Sequence, residues 1–307
     1  MLFNNVIDAI GNTPLIELKQ IEKAYNLPYK LYGKLERSNP SGSVKDRAAR
    51  QIILDALENG NIKKDTVVLE ATSGNTGISL AMICSALNLK LIIAMPESAS
   101  VERRQMMAAF GAELILTSAK EGMKGAVEKI DELAKNYPST FIAHQFENES
   151  NVKAHYLTTG KEIIKDLEGN VDVFIYAFGT SGTLIGTGRR LKEYNEKIEV
   201  IGVEPLSSPL INEGEAGPHK IQGIGANFVP EIFDKSVVDK VIDVSDESAF
   251  KGAKELARKE GLFVGISSGA ALAGALSLNK KVYANKNIVI ILPDNGERYL
   301  SVKGLYE

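Results

Sequence analysis

The chain has 307 residues, with 36 Lys and Arg against 39 Asp and Glu, which gives a formal net charge of −3. This balance argues against a nucleic-acid or anionic-membrane partner, and the single Cys excludes a disulfide framework and a cysteine-rich zinc site. No apolar run reaches the roughly 18 residues of a membrane span, and the first residues lack the basic region of a secretory signal. We therefore expect a cytoplasmic protein of about two domains.

Short β-branched runs alternate with longer amphipathic runs, a pattern typical of parallel strands joined by helices. Strands are predicted at residues 66–70, 90–95, 113–117, 172–176, 199–203, 241–244 and 287–292. Helices are predicted at residues 78–87, 101–110 and 123–136. Two α/β units with a boundary near residue 150 are expected. The Gly- and Pro-rich segment 206–233 is predicted to be a long loop, and such loops are more often functional than idle.

Two glycine-containing clusters lie between a predicted strand and a predicted helix, where open α/β sheets collect ligands. The first cluster is Thr72-Ser73-Gly74-Asn75-Thr76-Gly77, which taken alone is more typical of an ordinary helix-capping turn. The second is Gly179-Thr180-Ser181-Gly182-Thr183. Its consecutive N–H groups and three hydroxyls predict a phosphate cradle without a cationic side chain.

Other nucleotide motifs fit the sequence less well. The chain has no G-x-x-x-x-G-K-[ST], which disfavours a P-loop hydrolase. The segment Gly182–Gly188 only loosely imitates a dinucleotide fingerprint. Glu204, at the end of the next predicted strand, keeps a hydride-transfer enzyme as a minor alternative.

One lysine is placed for catalysis. The histidines His144, His155 and His219 are not at metal-ligand spacing and are each more typical of structural residues, so no metal site is expected. Cys84 lies in an apolar helical run, where a buried inert thiol is expected. Lys45 begins a predicted helix, and the positive end of the helix dipole there favours a free amine. Taken alone, however, Lys45 is more typical of a surface lysine.

Six motifs together resemble those of the cysteine synthase (O-acetylserine sulfhydrylase) and cystathionine β-synthase family, in the same order and over essentially the whole chain. They are Gly11–Leu15, Ser41–Arg47, Thr72–Gly77, Gly179–Thr183, Gly265–Gly269 and Gly296–Ser301. This family belongs to the tryptophan-synthase-β-like, fold type II class of pyridoxal-phosphate enzymes.

The resemblance implies a fold of two three-layer α/β domains with mostly parallel sheets and an active site in the cleft between them. A larger domain of residues 1–45 and 151–307 would bind the phosphate of pyridoxal 5′-phosphate. A smaller mobile domain of residues 46–150 would carry the loop that binds the substrate carboxylate. A homodimer, with docking of the C-terminal peptide of serine acetyltransferase, is also implied.

The resemblance also implies roles for individual residues. Lys45 would bind the cofactor aldehyde, be released by substrate and remove the α-proton. The implied cofactor-binding set is Lys45, Asn75, Gly179, Thr180, Ser181, Gly182, Thr183 and Ser267. Ser267 would meet the pyridine nitrogen, and its neutral hydroxyl would make the cofactor a weaker electron sink that favours β-elimination. The implied substrate-binding set is Thr72, Ser73, Gly74, Thr76, Gln145, Gly223 and Asn227.

The implied reaction is a β-replacement on an amino acid through an α-aminoacrylate intermediate, in which O-acetyl-L-serine and sulfide give L-cysteine and acetate. Asn227 stands where cysteine synthases have a glycine and cystathionine β-synthases an acidic residue. Our hypothesis is that residue 227 handles water or a hydroxyl at Cβ. L-cysteine or serine would then be the donor, and the products would be hydrogen sulfide, cystathionine or lanthionine. A neutral change to a polar loop residue explains Asn227 equally well. Ser181 also replaces a common glycine and adds one donor.

Overall fold

Strands and helices alternate along most of the chain. The computed structural model describes residues 2–306. Within that range the strands are β1 (Leu15–Glu17), β2 (Lys30–Leu35), β3 (Val67–Ala71), β4 (Lys90–Pro96), β5 (Glu113–Thr117), β6 (Thr140–Ile142), β7 (Val173–Ala177), β8 (Glu199–Pro205), β9 (Lys240–Val244) and β10 (Asn287–Leu292). The α-helices are α1 (Lys19–Tyr25), α2 (Lys45–Glu58), α3 (Asn75–Ala86), α4 (Val101–Ala109), α5 (Gly122–Ala134), α6 (Glu149–Leu157), α7 (Thr159–Asp166), α8 (Gly182–Tyr194), α9 (Asp246–Glu260) and α10 (Ile266–Leu276).

The strands and helices predicted from the sequence are confirmed, with ends displaced by no more than three residues. The segment 206–233 contains no helix or strand, as predicted. Strands β1, β2 and β6 were not predicted. Among the described residues, no helix is long and apolar enough to cross a membrane.

The smaller of two units comprises Asn39–Asn151 and the N-terminal residues up to Ile10. Its sheet has the order β5-β4-β3-β6, and all neighbouring strands are parallel. Both faces are covered, because Val68 packs in a cluster with α2 and α3 while Leu69 packs with α5. A parallel strand buried on both faces has the continuous apolar run Val67-Val68-Leu69 rather than an alternating one.

The larger unit comprises Gly11–Ser38 and the chain from Val152 onward. Its sheet has the order β1-β2-β10-β7-β8-β9, and only the β1–β2 pair is antiparallel within the described residues. Ile175 and Phe174 on β7 belong to clusters on opposite faces, the first with Leu272 of α10 and the second with Leu184 of α8. Each unit is therefore a helix–sheet–helix sandwich.

The units divide the N-terminal part of the chain differently from the sequence-based division, which assigned residues 1–45 to the larger domain. In the structure the residues up to Ile10 and the segment 39–45 belong to the smaller unit. Ile7 and Ile10 are buried in one cluster with Ile53 of α2. Ser41 is hydrogen-bonded to Asp46 on that same helix. The contact of Ile7 and Ile10 with Ile53 is distant in sequence, so the local pattern could not reveal it.

Candidate active site

Lys45 is the first residue of α2, and the loop before it is fastened by a buried carboxylate. Oδ2 of Asp46 accepts the main-chain N–H of Ser41 at 2.7 Å, and Oδ1 accepts the hydroxyls of Ser41 and of Ser79, the latter at 2.5 Å. Ser79 lies on α3, so Asp46 connects the Lys45 loop to a second helix. Lys45 itself is half-buried and its main-chain N–H donates to Ser43 Oγ at 3.3 Å. Sequence reasoning missed Asp46, which directly follows Lys45 in the sequence.

The predicted carboxylate-binding loop occupies the turn from β3 into α3. Thr72 and Thr76 are buried, whereas Ser73, Gly74 and Asn75 are half-buried. Gly74 is the N-cap of α3, so the first turn of that helix presents main-chain N–H groups here. The structure brings Gln145 to this loop, since the Thr76 hydroxyl donates to Gln145 Oε1 at 2.5 Å.

A buried acid lies behind Gln145. Glu70, on β3, accepts the Gln145 side-chain N–H at 3.3 Å and the His144 main-chain N–H at 3.0 Å. Burial raises the pKa of Glu70 to about 8, although both hydrogen bonds oppose that shift. Sequence reasoning did not select Glu70.

The predicted phosphate loop connects β7 to α8. Ser181 is the N-cap of α8 and adopts the left-handed backbone conformation, with φ of 71°. Its hydroxyl is buried and meets no hydrogen-bond partner in residues 2–306. A buried, unpartnered hydroxyl beside the free N–H groups of a helix start is a donor set that suits a phosphate.

Gly179 brings a second predicted segment to this loop. A Cβ at Gly179 would lie 2.5 Å from the carbonyl oxygen of Gly223, so only glycine permits this approach. Gly225 N–H also donates to the Phe178 carbonyl at 3.3 Å. The loop that carries Gly223 and Asn227 is therefore held against the carboxyl end of β7.

His155, which the sequence indicated as structural, contacts the phosphate loop. Its Nε2 lies 3.1 Å from Thr183 Oγ1, and its Nδ1 lies 2.8 Å from Thr159 Oγ1. If Thr159 donates to Nδ1, then Nε2 carries the proton and donates to Thr183. The Thr183 hydroxyl is in that case directed toward a phosphate as a donor.

Ser267 is the second residue of α10 and is buried. Gly265, the N-cap of α10, donates its N–H at 3.1 Å to the carbonyl of Asp294, shortly after the end of β10. Since β10 and β7 are parallel neighbours, Ser267 and the phosphate loop lie at the same carboxyl edge of this sheet. That common edge is where open parallel sheets bind ligands.

Asn227 is exposed and has a left-handed backbone, with φ of 62°. Its Oδ1 accepts the hydroxyl of buried Ser208 at 3.4 Å, and Ser208 also accepts the Gly217 N–H at 3.2 Å. The Asn227 amide is thus directed by a second part of the long loop. Its nitrogen can still donate.

The buried donors at Ser181 in the larger unit fit the phosphate of pyridoxal phosphate. Lys45, in the smaller unit, has a primary amine of the kind that condenses with an aldehyde. The model of the family described as pyridoxal-phosphate-dependent enzyme matches residues 6–294. The chain belongs to this family. Its members' cofactor, pyridoxal phosphate, is therefore the cofactor of this enzyme.

Several known proteins are similar to this chain over nearly their full length. Cysteine synthase B of Campylobacter jejuni is 54% identical over 96% of both chains. The crystal structure of a cysteine synthase from Entamoeba histolytica is 42% identical, with a TM-score of 0.96 over 98% of this chain and 90% of that one. A hydrogen sulfide-producing enzyme from Fusobacterium nucleatum is 48% identical, with a TM-score of 0.91 over 97% of this chain and all of that one.

Within the described residues of this enzyme, no group of three or more His, Cys, Asp or Glu side chains could hold a metal ion. The single Cys84 is buried, and burial raises the pKa of its thiol to about 12. A thiol with so high a pKa is a poor nucleophile near neutral pH.

Proposed function

We propose that the enzyme is a cysteine synthase, which converts O-acetyl-L-serine and sulfide to L-cysteine and acetate. The observation that carries this proposal is the 54% identity with Cysteine synthase B of Campylobacter jejuni over 96% of both chains. The neutral donors around Thr72, Thr76 and Gln145 support it, because hydroxyls and amides suit the carboxylate of a zwitterionic substrate.

Lys45 is the proposed catalytic residue. Its amine would hold the aldehyde of the cofactor at rest and, once free, would remove the proton from Cα of the substrate. Bound pyridoxal phosphate supplies an electron-withdrawing system that stabilises negative charge at Cα. Acetate leaves Cβ, hydrosulfide adds there, and Lys45 returns the proton to Cα.

The other proposed roles are divided between residues of the larger unit and residues of the smaller unit. Residues Gly179–Thr183 hold the phosphate, and Ser267 contacts the pyridine nitrogen. Asn75 contacts the cofactor 3′-oxygen, while Thr72–Thr76 and Gln145 bind the substrate carboxylate. We propose that the smaller unit is the mobile one and that its closure excludes water from the reaction.

A second candidate function uses L-cysteine as the donor. Asn227 favours it, because an amide fixed by Ser208 at 3.4 Å can orient water at Cβ without acting as a base. The 48% identity with a hydrogen sulfide-producing enzyme also supports it. Loss of hydrosulfide from L-cysteine and addition of water would give L-serine and hydrogen sulfide.

The two candidates are separated by supplying the purified holoenzyme with O-acetylserine plus sulfide, or with L-cysteine alone. A cysteine synthase forms cysteine in the first mixture, and Lys45→Ala abolishes both this reaction and the cofactor absorbance of the lysine-bound form. Sulfide release from L-cysteine that falls in Asn227→Gly and rises in Asn227→Asp would favour the second candidate. Absence of cysteine formation by the wild type would refute the first.

We also propose a cytoplasmic homodimer that can bind the C-terminal peptide of serine acetyltransferase. The resemblance of the whole chain to cysteine synthases supports the dimer. The free carboxylate of such a peptide suits the Thr72–Thr76 loop. Light scattering of the holoenzyme tests the dimer, and titration with the peptide against its C-terminal amide tests the binding.

A further inference from the structure

Glu70 is an acidic residue at a buried position of β3. It is 5% exposed and follows the apolar residues Val67–Leu69 on a strand that is buried on both faces. Burying a carboxyl group costs free energy that an apolar side chain would not. The two hydrogen bonds that Glu70 accepts are therefore its distinguishing feature.

Both bonds go to the segment that follows the neighbouring strand β6. Leu69 is in register with Ile142, so the chain after β6 passes beside Glu70. There His144 has a left-handed backbone, with φ of 47°, and donates its N–H to Glu70 Oε2. A non-glycine residue keeps this conformation only where its surroundings hold it. Glu70 thus fixes the turn that presents Gln145.

Glu70 also determines which way the Gln145 amide faces. Its Oε1 accepts the Gln145 N–H at 3.3 Å, while Gln145 Oε1 accepts the Thr76 hydroxyl at 2.5 Å. An amide nitrogen only donates, and each Glu70 oxygen accepts an N–H here, so this pairing sets the amide orientation. The nitrogen carries a second hydrogen, which can donate to an anion.

We propose that Glu70 is a positioning residue for the α-carboxylate of the amino-acid substrate and that it acts by orienting the side-chain amide of Gln145. This rests on the function proposed above, in which Gln145 helps to bind that carboxylate. Glu70 itself does not touch the substrate. Its effect therefore disappears when the Gln145 amide is removed.

The test compares Glu70→Gln, Gln145→Ala and the double variant as holoenzymes. Glu70→Gln keeps the size of the side chain but places a donor where one of the two N–H groups points. We expect the KM for O-acetylserine and the dissociation constant of L-serine, followed by cofactor absorbance, to rise about 10-fold, with kcat within about twofold, as for loss of one hydrogen bond to a charged group. The double variant should bind L-serine no more weakly than Gln145→Ala alone.

A matched control and an independent readout accompany these variants. Glu196→Gln makes the same change at an exposed site and should leave binding unchanged. The side-chain amide signals of Gln145 in an NMR spectrum should shift in Glu70→Gln and stay in place in Glu196→Gln. Rescue of serine binding by Glu70→Asp is not expected, because the shorter side chain withdraws from the amide.

Three results would overturn the inference: unchanged serine binding in Glu70→Gln, additive effects in the double variant, or an equal loss of cofactor affinity, which would indicate a general structural role. Failure of the proposed function gives a different pattern. In that case the wild type makes no cysteine, while the Gln145 signals and serine binding still depend on Glu70.

Discussion

The buried carboxyl of Glu70 should make the free energy of unfolding decrease as the pH rises. Its pKa is about 8 in the folded protein, against the ordinary value of 4.5 that applies when the chain is unfolded. The folded state therefore binds the proton more tightly. The contribution of Glu70 to the free energy of unfolding is complete below about pH 4.5 and is lost as the pH rises through about 8.

The size of the effect follows from the two pKa values. Raising the pKa from 4.5 to about 8 corresponds to about 5 kcal/mol over the whole range, at about 1.4 kcal/mol for each pH unit. Between about pH 5.5 and pH 8 the loss is about 3 kcal/mol. Glu147 is the charged neighbour that adds to the shift, and the N–H groups of His144 and Gln145 oppose it.

Glu70→Gln isolates this contribution because glutamine does not titrate. The chain has no Trp, so urea unfolding is followed by circular dichroism, in the wild type and in the variant, with saturating cofactor. The unfolding free energy of the wild type minus that of Glu70→Gln should fall by about 3 kcal/mol from about pH 5.5 to pH 8. Glu196→Gln, the same substitution at an exposed site, should change the free energy by no more than about 0.5 kcal/mol. A flat or rising difference for Glu70→Gln would refute the reasoning.

Three further predictions concern Ser181, Gly179 and Cys84. Ser181→Gly should stabilise the apoprotein by about 1 kcal/mol, because it relieves a left-handed backbone, yet weaken cofactor binding about fivefold in a titration. Gly179→Ala should cost at least about 2 kcal/mol in urea unfolding, because its Cβ meets the Gly223 carbonyl, whereas Gly214→Ala, with no described atom near its Cβ, should cost about 1 kcal/mol. Cys84 should resist a thiol reagent at about pH 8 in the folded enzyme and react fully once unfolded.

The strongest strand predictions share one property. β4 and β10 each have a continuous aliphatic run because they are buried on both faces of a parallel sheet, whereas β5 and β9 lie at the sheet edges and are partly exposed. β2 lacked this signal because it contains Lys34, which is fully buried. Lys34 Nζ donates to the Thr13 carbonyl at 2.7 Å and pairs with Glu162 at 3.0 Å. Glu162 is distant in sequence, so a local pattern could not reveal that the charge was satisfied.

The positions of the ligand-binding loops were predictable, whereas the groups that orient them were not. Glycines and hydroxyls between a strand and a helix mark Thr72–Thr76 and Gly179–Thr183 in the sequence itself. Glu70 and His155 show their roles only through contacts with Gln145 and Thr183, which follow 75 and 28 residues later. A usable signal would have been an acid near the carboxyl end of an apolar strand that leads directly into a ligand-binding loop.

Two pairs share one arrangement: Glu70 behind Gln145, and His155 behind Thr183. In each, a buried ionisable side chain meets a neutral hydroxyl or amide, and the neutral group is the one proposed to meet a ligand. Hydroxyls and amides can turn and reverse their hydrogen bonds, so alone they select an anion weakly. A buried carboxyl held by two N–H groups, or an imidazole held between two hydroxyls, removes part of that freedom before the ligand arrives and lowers the entropy lost on binding. Substitutions of the buried partners should therefore change affinity and orientation, whereas substitution of Lys45 should abolish the chemistry itself.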